Sequence, residues 1–71
     1  MSDEVRDDIR STSDEIKADA ARLAQVESRK QDPDASAEDL QRLASQAETL
    51  ARRVADKVRV EKKLVDQVSE G

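Results

Sequence analysis

Apolar residues in the first half of the chain recur on steps of three, four and seven. The residues on this line are Val5, Ile9, Ile16, Leu23 and Val26, and Thr12 and Asp19 fill the intervening positions. A heptad repeat with two apolar positions is typical of a helix that packs against one neighbouring helix. The pattern therefore predicts a first helix with a narrow contact face.

The second half of the chain carries a wider apolar face, built from three rows at heptad spacing. The first row is Leu40, Ala47, Val54, Glu61 and Val68; the second row is Ala44, Ala51, Val58 and Val65; the leucine row is Leu43, Leu50, Lys57 and Leu64. One neighbouring helix needs only about two of these rows. The pattern predicts a second helix with apolar surface to spare.

The only helix-breaking segment inside the chain surrounds Pro33, since the single glycine is the last residue. Proline disfavours helical geometry in the residue before it, and Ser36 with Asp39 resembles a capping box. We therefore predict helix 1 over about 3–31, a loop over 32–36 and helix 2 over about 37–69. Two alternatives remain at this stage: helix 2 capped by Asp32, and helix 1 starting later with Thr12 as its cap.

A short loop makes consecutive helices antiparallel, so the sequence predicts an all-α, coiled-coil-like, two-helix hairpin over residues 1–71. We call the line of contact between the two helices the seam. We expect the second row of helix 2 to lie in it, in a register that places Asp19 opposite Ala51 and Glu61 opposite Ile9. The apolar pairs of that register are Val5 with Val65, Thr12 with Val58, Ile16 with Val54, Leu23 with Ala47, and Val26 with Ala44. The polar seam residues then reach solvent or pair with a nearby cation, and Glu15 and Lys57 share one side of the seam.

This register leaves the leucine row as surface that helix 1 only partly covers. A hairpin of 71 residues buries little apolar area and gains from a second layer. We therefore expect Leu43, Leu50, Lys57 and Leu64 to mediate self-association into a four-helix bundle, or to bind a helix of another protein.

Composition removes most catalytic chemistry. The chain contains no His, Cys, Trp, Tyr or Phe, so thiolate nucleophiles, imidazole acid–base catalysis and zinc ligation are absent. Asp32, Asp34, Ser36 and Glu38 have the spacing of calcium ligands, but Ala37 and Leu43 stand where that motif needs Gly and Glu. The sequence predicts no enzyme activity, no metal site and no cofactor.

Charge gives an alternative function. The net charge is −4, with 13 basic and 17 acidic residues, yet one segment of helix 2 is strongly basic. Its cations are Arg52, Arg53, Lys57, Arg59, Lys62 and Lys63. They are a candidate site for nucleic acid or a nucleotide phosphate. They spread around the helix instead of lining one face, and we expect the N-terminal acidic run to neutralise part of them; its members are Asp3, Glu4, Asp7 and Asp8.

The favoured hypothesis is a small, non-catalytic interaction or regulatory protein that acts through helix faces as a homodimer, such as an adaptor, inhibitor or assembly factor. Its expected partners are a second copy of itself and another protein. Nucleic-acid binding and a purely structural oligomerisation segment are the alternatives. No apolar run reaches the roughly 20 residues that span a membrane, so we expect a cytoplasmic protein without membrane contact.

Overall fold

The computed structural model describes the backbone of residues 2–70 and the side chains of residues 3–68. Helix α1 runs over Ser2–Lys30 and helix α2 over Ala37–Glu70. The two helices pack against each other as an antiparallel hairpin with extents of 53 × 14 × 12 Å, and no strand occurs in residues 2–70. The predicted all-helical hairpin is confirmed, and the helix ends lie within one residue of the predicted ones.

Helix α1 continues without a break through the weak helix formers Ser11, Thr12 and Ser13. The alternative of a later start at Thr12 is therefore wrong. Thr12 and Ser13 are partly buried, and packing of this kind stabilises a helix more than intrinsic propensity does. Asp3 and Glu4 in the first turn also favour the helix, because they oppose the positive end of its dipole.

The loop is a tight turn with Pro33 in its second position. The Ala35 N–H donates to the Asp32 carbonyl at 3.1 Å, and the Asp34 N–H donates to Asp32 Oδ1 at 2.9 Å. Proline suits this position because its φ angle is already fixed near the required value. Asp32 therefore stabilises the turn instead of capping α2, and the alternative helix start at Asp32 is wrong.

The predicted capping box starts α2. The Asp39 N–H donates to Ser36 Oγ at 3.0 Å, and the Ser36 N–H donates to Asp39 Oδ2 at 3.4 Å. The Leu40 N–H then makes the first helical hydrogen bond to the Ser36 carbonyl at 2.9 Å. These contacts satisfy backbone groups that a helix start leaves without intrahelical partners.

The seam contains the predicted face of α1 but a different face of α2. Along α1, every predicted seam residue from Val5 to Val26 is partly or fully buried. Along α2, the leucine row is partly buried and the second row is exposed; its members are Ala44, Ala51, Val58 and Val65. The prediction that the second row shares the seam and that the leucine row lies outside it is therefore wrong. Leucine side chains gain more from burial than alanine and valine do.

The register is also different from the predicted one. Asp19 contacts Lys57, not Ala51, because Lys57 Nζ donates to Asp19 Oδ2 at 2.9 Å. The partners of Asp19 on α2, Arg53 and Lys57, thus lie two and six positions beyond the predicted Ala51. A buried carboxylate needs a cationic or hydrogen-bonding partner, and Lys57 meets that need where Ala51 does not.

Candidate interaction surfaces

Asp19 is a buried charged residue in the middle of the seam, and it is only 3% exposed. Besides the hydrogen bond from Lys57, it lies 3.8 Å from Arg53 Nε. Lys57 also approaches Glu15 Oε1 at 3.9 Å, which confirms that Glu15 and Lys57 share one side of the seam. The expectation that Asp19 reaches solvent is wrong, and the alternative of a cationic partner is confirmed.

The hydrogen bond from Lys57 lowers the pKa of Asp19 below its usual value of 3.8, and the charges of Arg53, Lys57 and Arg22 act in the same direction. Burial opposes this shift, since it disfavours the charged form. The Ser36 hydrogen bonds likewise lower the pKa of Asp39. Both carboxylates are thus held in the charged form by the fold.

We expect this shift to make stability depend on pH at the acidic end. A carboxylate whose pKa is lower in the folded state contributes its full stabilisation above the unfolded pKa near 3.8. That contribution falls as the pH drops through the folded pKa. Urea midpoints between pH 5 and 2 should therefore decline for the wild type. The decline should be smaller for a D19L/K57L double variant; an equal decline would contradict this assignment.

The basic segment of α2 is neutralised mainly by nearby carboxylates. Arg52 pairs with Glu48, Arg59 with Asp56, and Lys62 with Asp66, all within α2. Arg53 and Lys57 face Asp19 of α1. Among residues 3–68, Lys63 makes no ion pair. The acidic residues near the N-terminus, Asp3, Glu4, Asp7 and Asp8, make no direct ion pair with the cations of this segment there, where the pairs are those within α2 and with Asp19 and Glu15.

Helix α2 presents an exposed apolar stripe beside the seam. This outer stripe consists of Leu40, Ala44, Ala51, Val58 and Val65. Val58 keeps 46% of its surface exposed. The residues lie on one side of α2 because they are separated by steps of four and seven. A stripe of exposed apolar side chains, three of them large, marks a candidate interaction surface.

On the other side of the seam, three arginines surround a groove between the helices. This arginine groove has a volume of about 620 Å³ and is lined by Arg22, Gln25, Val26, Arg29, Arg42, Ser45, Gln46, Thr49 and Leu50. Val26 is buried and Leu50 partly buried, so they form an apolar floor beneath polar side chains. This groove is not recognisable from the sequence, because its residues come from two helices and form no linear motif.

Comparison with known proteins finds no matching family model, curated protein or solved structure. Within the described part of the chain, neither helix combines the length and apolar character needed to cross a membrane. Residues 3–68 also contain no cluster of three or more acidic side chains arranged to hold a metal ion.

Proposed function

We propose that the protein is a small, non-catalytic interaction module that works as a homodimeric four-helix bundle. The observation that carries this proposal is the outer stripe on α2. It moves the proposed self-association surface from Leu43, Leu50, Lys57 and Leu64, which lie in the seam, to the neighbouring face. The remaining helix faces of the dimer would then be available to a protein partner.

The thin core of the single hairpin supports a second layer. Val26 and Ala47 are the buried apolar residues of residues 3–68, and no large side chain there is fully enclosed. Two helices alone give each apolar side chain only one neighbouring helix to pack against. Covering the outer stripe would add apolar contact without changing the seam.

A second copy fits the outer stripe because the stripe is self-complementary. If two α2 helices pack antiparallel about an axis near Ala55, Ala44 faces Val65 of the partner subunit, and Ala51 faces Val58 of the partner subunit. Each small side chain then meets a larger one. The outer stripe also lies about a quarter turn around α2 from the seam, which is the angle at a corner of a four-helix bundle.

Charge beside the outer stripe favours the same pairing. In this arrangement Glu48 approaches Lys62 of the partner subunit on both sides of the axis. Opposite charges at these positions favour the antiparallel dimer and disfavour a shifted one. Since Glu48 and Lys62 are exposed side chains that already pair within α2, their contribution is mainly to orientation.

Light scattering on the full chain over a concentration series tests this proposal. We expect a wild-type mass near twice 7.9 kDa, and a mass near 7.9 kDa for Val58→Glu, because a charge would be buried in the new seam. Val60→Glu is the matched control, since Val60 is 51% exposed and lies on the opposite side of α2. A monomeric wild type, or equal dissociation of both variants, would overturn the proposal.

A further inference from the structure

The arginine groove has the composition of a small-molecule site. Its volume of about 620 Å³ lies within the range of roughly 300–1,000 Å³ that such sites occupy. Val26 and Leu50 supply an apolar floor. The rim carries amide and hydroxyl groups from Gln25, Gln46 and other polar residues of both helices. A ligand could therefore bury an apolar body and keep a polar group at the rim.

The charge of the rim determines whether the polar group of the ligand should be a cation or an anion. Arg22, Arg29 and Arg42 all line the groove, and no acidic side chain does. Arg42 is paired with Asp39, whereas Arg22 and Arg29 make no ion pair within residues 3–68. Guanidinium groups bind carboxylate and phosphate oxygens with two parallel hydrogen bonds. The rim thus offers donors for an anion.

The length of the groove favours a small molecule over a docked helix. Its lining residues cover 22–29 of α1 and 42–50 of α2, which is about two turns of each helix. A helix bound in a groove needs apolar anchors over several turns. Beyond the groove, Asp32, Asp34 and Asp39 at the turn would repel an acidic helix.

We propose that the arginine groove binds a small organic anion, an apolar body that carries one carboxylate or phosphate group. The apolar body rests on Val26 and Leu50, and the anionic group reaches Arg22 and Arg29. This site lies on the side of the seam away from the outer stripe. It therefore does not depend on the dimer.

The test is a titration of the full chain with octanoate and with octyl phosphate, each below its micelle concentration, followed by NMR of the Val26 and Leu50 methyl groups. We expect saturable shifts, and the stronger of the two ligands identifies the preferred anionic group. Octanol and inorganic phosphate, which each carry only half of the ligand, should bind at least about tenfold more weakly.

Variants separate specific binding from general attraction. The R22Q/R29Q variant should weaken binding about tenfold or more, since each guanidinium lost removes charged hydrogen bonds. The matched control R52Q/R59Q makes the same change of charge outside the groove and should stay within about twofold of the wild type. Shifts that do not saturate, equal binding of octanol, or equal loss in both variants would overturn the proposal. Val58→Glu should bind normally, which distinguishes this result from a failed dimer.

Discussion

Lys57→Leu should lower the melting temperature by about 10 °C or more, which is the largest effect that we expect from removing one charge. The protein loses stability because Asp19, the partner of Lys57, remains in place. Asp19 stays buried in the seam without its hydrogen bond from Lys57. Arg53 lies 3.8 Å from Asp19, and its side chain is half exposed, so it replaces only part of the lost interaction.

Replacing both Asp19 and Lys57 should remove the free energy cost of a buried carboxylate without a partner. In a D19L/K57L variant the seam becomes apolar at this layer, and the melting temperature should return to the wild-type value or exceed it. Lys63→Leu is the control, since it removes the same charge from an exposed position without an ion pair in the described residues and should change little. Thermal unfolding followed by circular dichroism measures all three. A wild-type melting temperature for Lys57→Leu would contradict the buried pair.

Leu50→Glu should destabilise the hairpin by about 2 kcal/mol or more, because it removes a leucine from the seam beside Val26 and desolvates part of a carboxylate, a cost that the arginines of the groove offset only in part. Ala51→Glu, one residue further along α2, should cost the monomeric hairpin less than about 1 kcal/mol, since Ala51 is exposed on the single hairpin. The two variants carry the same new charge. They differ in which side of α2 receives it and in the apolar side chain that is lost.

This pair of variants distinguishes the observed register from the one that the sequence pattern favoured. In the predicted register Ala51 lies in the seam and Leu50 outside it, so the order of the two effects would be reversed. Urea unfolding followed by far-UV circular dichroism measures both, at one protein concentration low enough that light scattering gives the mass of the monomer. Because the chain has no aromatic residue, refractometry should replace absorbance for determining that concentration.

Local rules predicted the turn and the helix ends correctly. Pro33 and the capping residues Ser36 and Asp39 act through neighbours in the chain, so their effect can be read directly from the sequence. The seam face of α1 was also predictable, because only one side of that helix carries its large apolar residues. Both features depend on a single helix or a single turn.

The seam face of α2 was mispredicted because three neighbouring rows of that helix are apolar. Matching side-chain sizes favours the row with Ala44 and Ala51, and in that register Asp19 and Glu61 are the polar residues of the seam while Lys57 lies outside it. Taken together, an acid in one stripe and a base in the leucine row would have indicated the correct register. The arginine groove depends on that register, so it could not be predicted before the register was known.

The tight turn between the helices has a consequence for how the hairpin folds. Contacts beside the turn join residues that are close in sequence, so their loop-closure entropy is small. Asp19 and Lys57 are separated by 38 positions, and the free ends of the hairpin by more. Pairing of the two helices should therefore begin beside the turn and extend towards the termini. The Asp19–Lys57 ion pair lies about midway between the turn and the termini. If the helices pair with a shift of one heptad, a leucine lies against the Asp19 carboxylate in place of Lys57. The buried carboxylate then has no partner, which favours separation of the helices and pairing in the correct register.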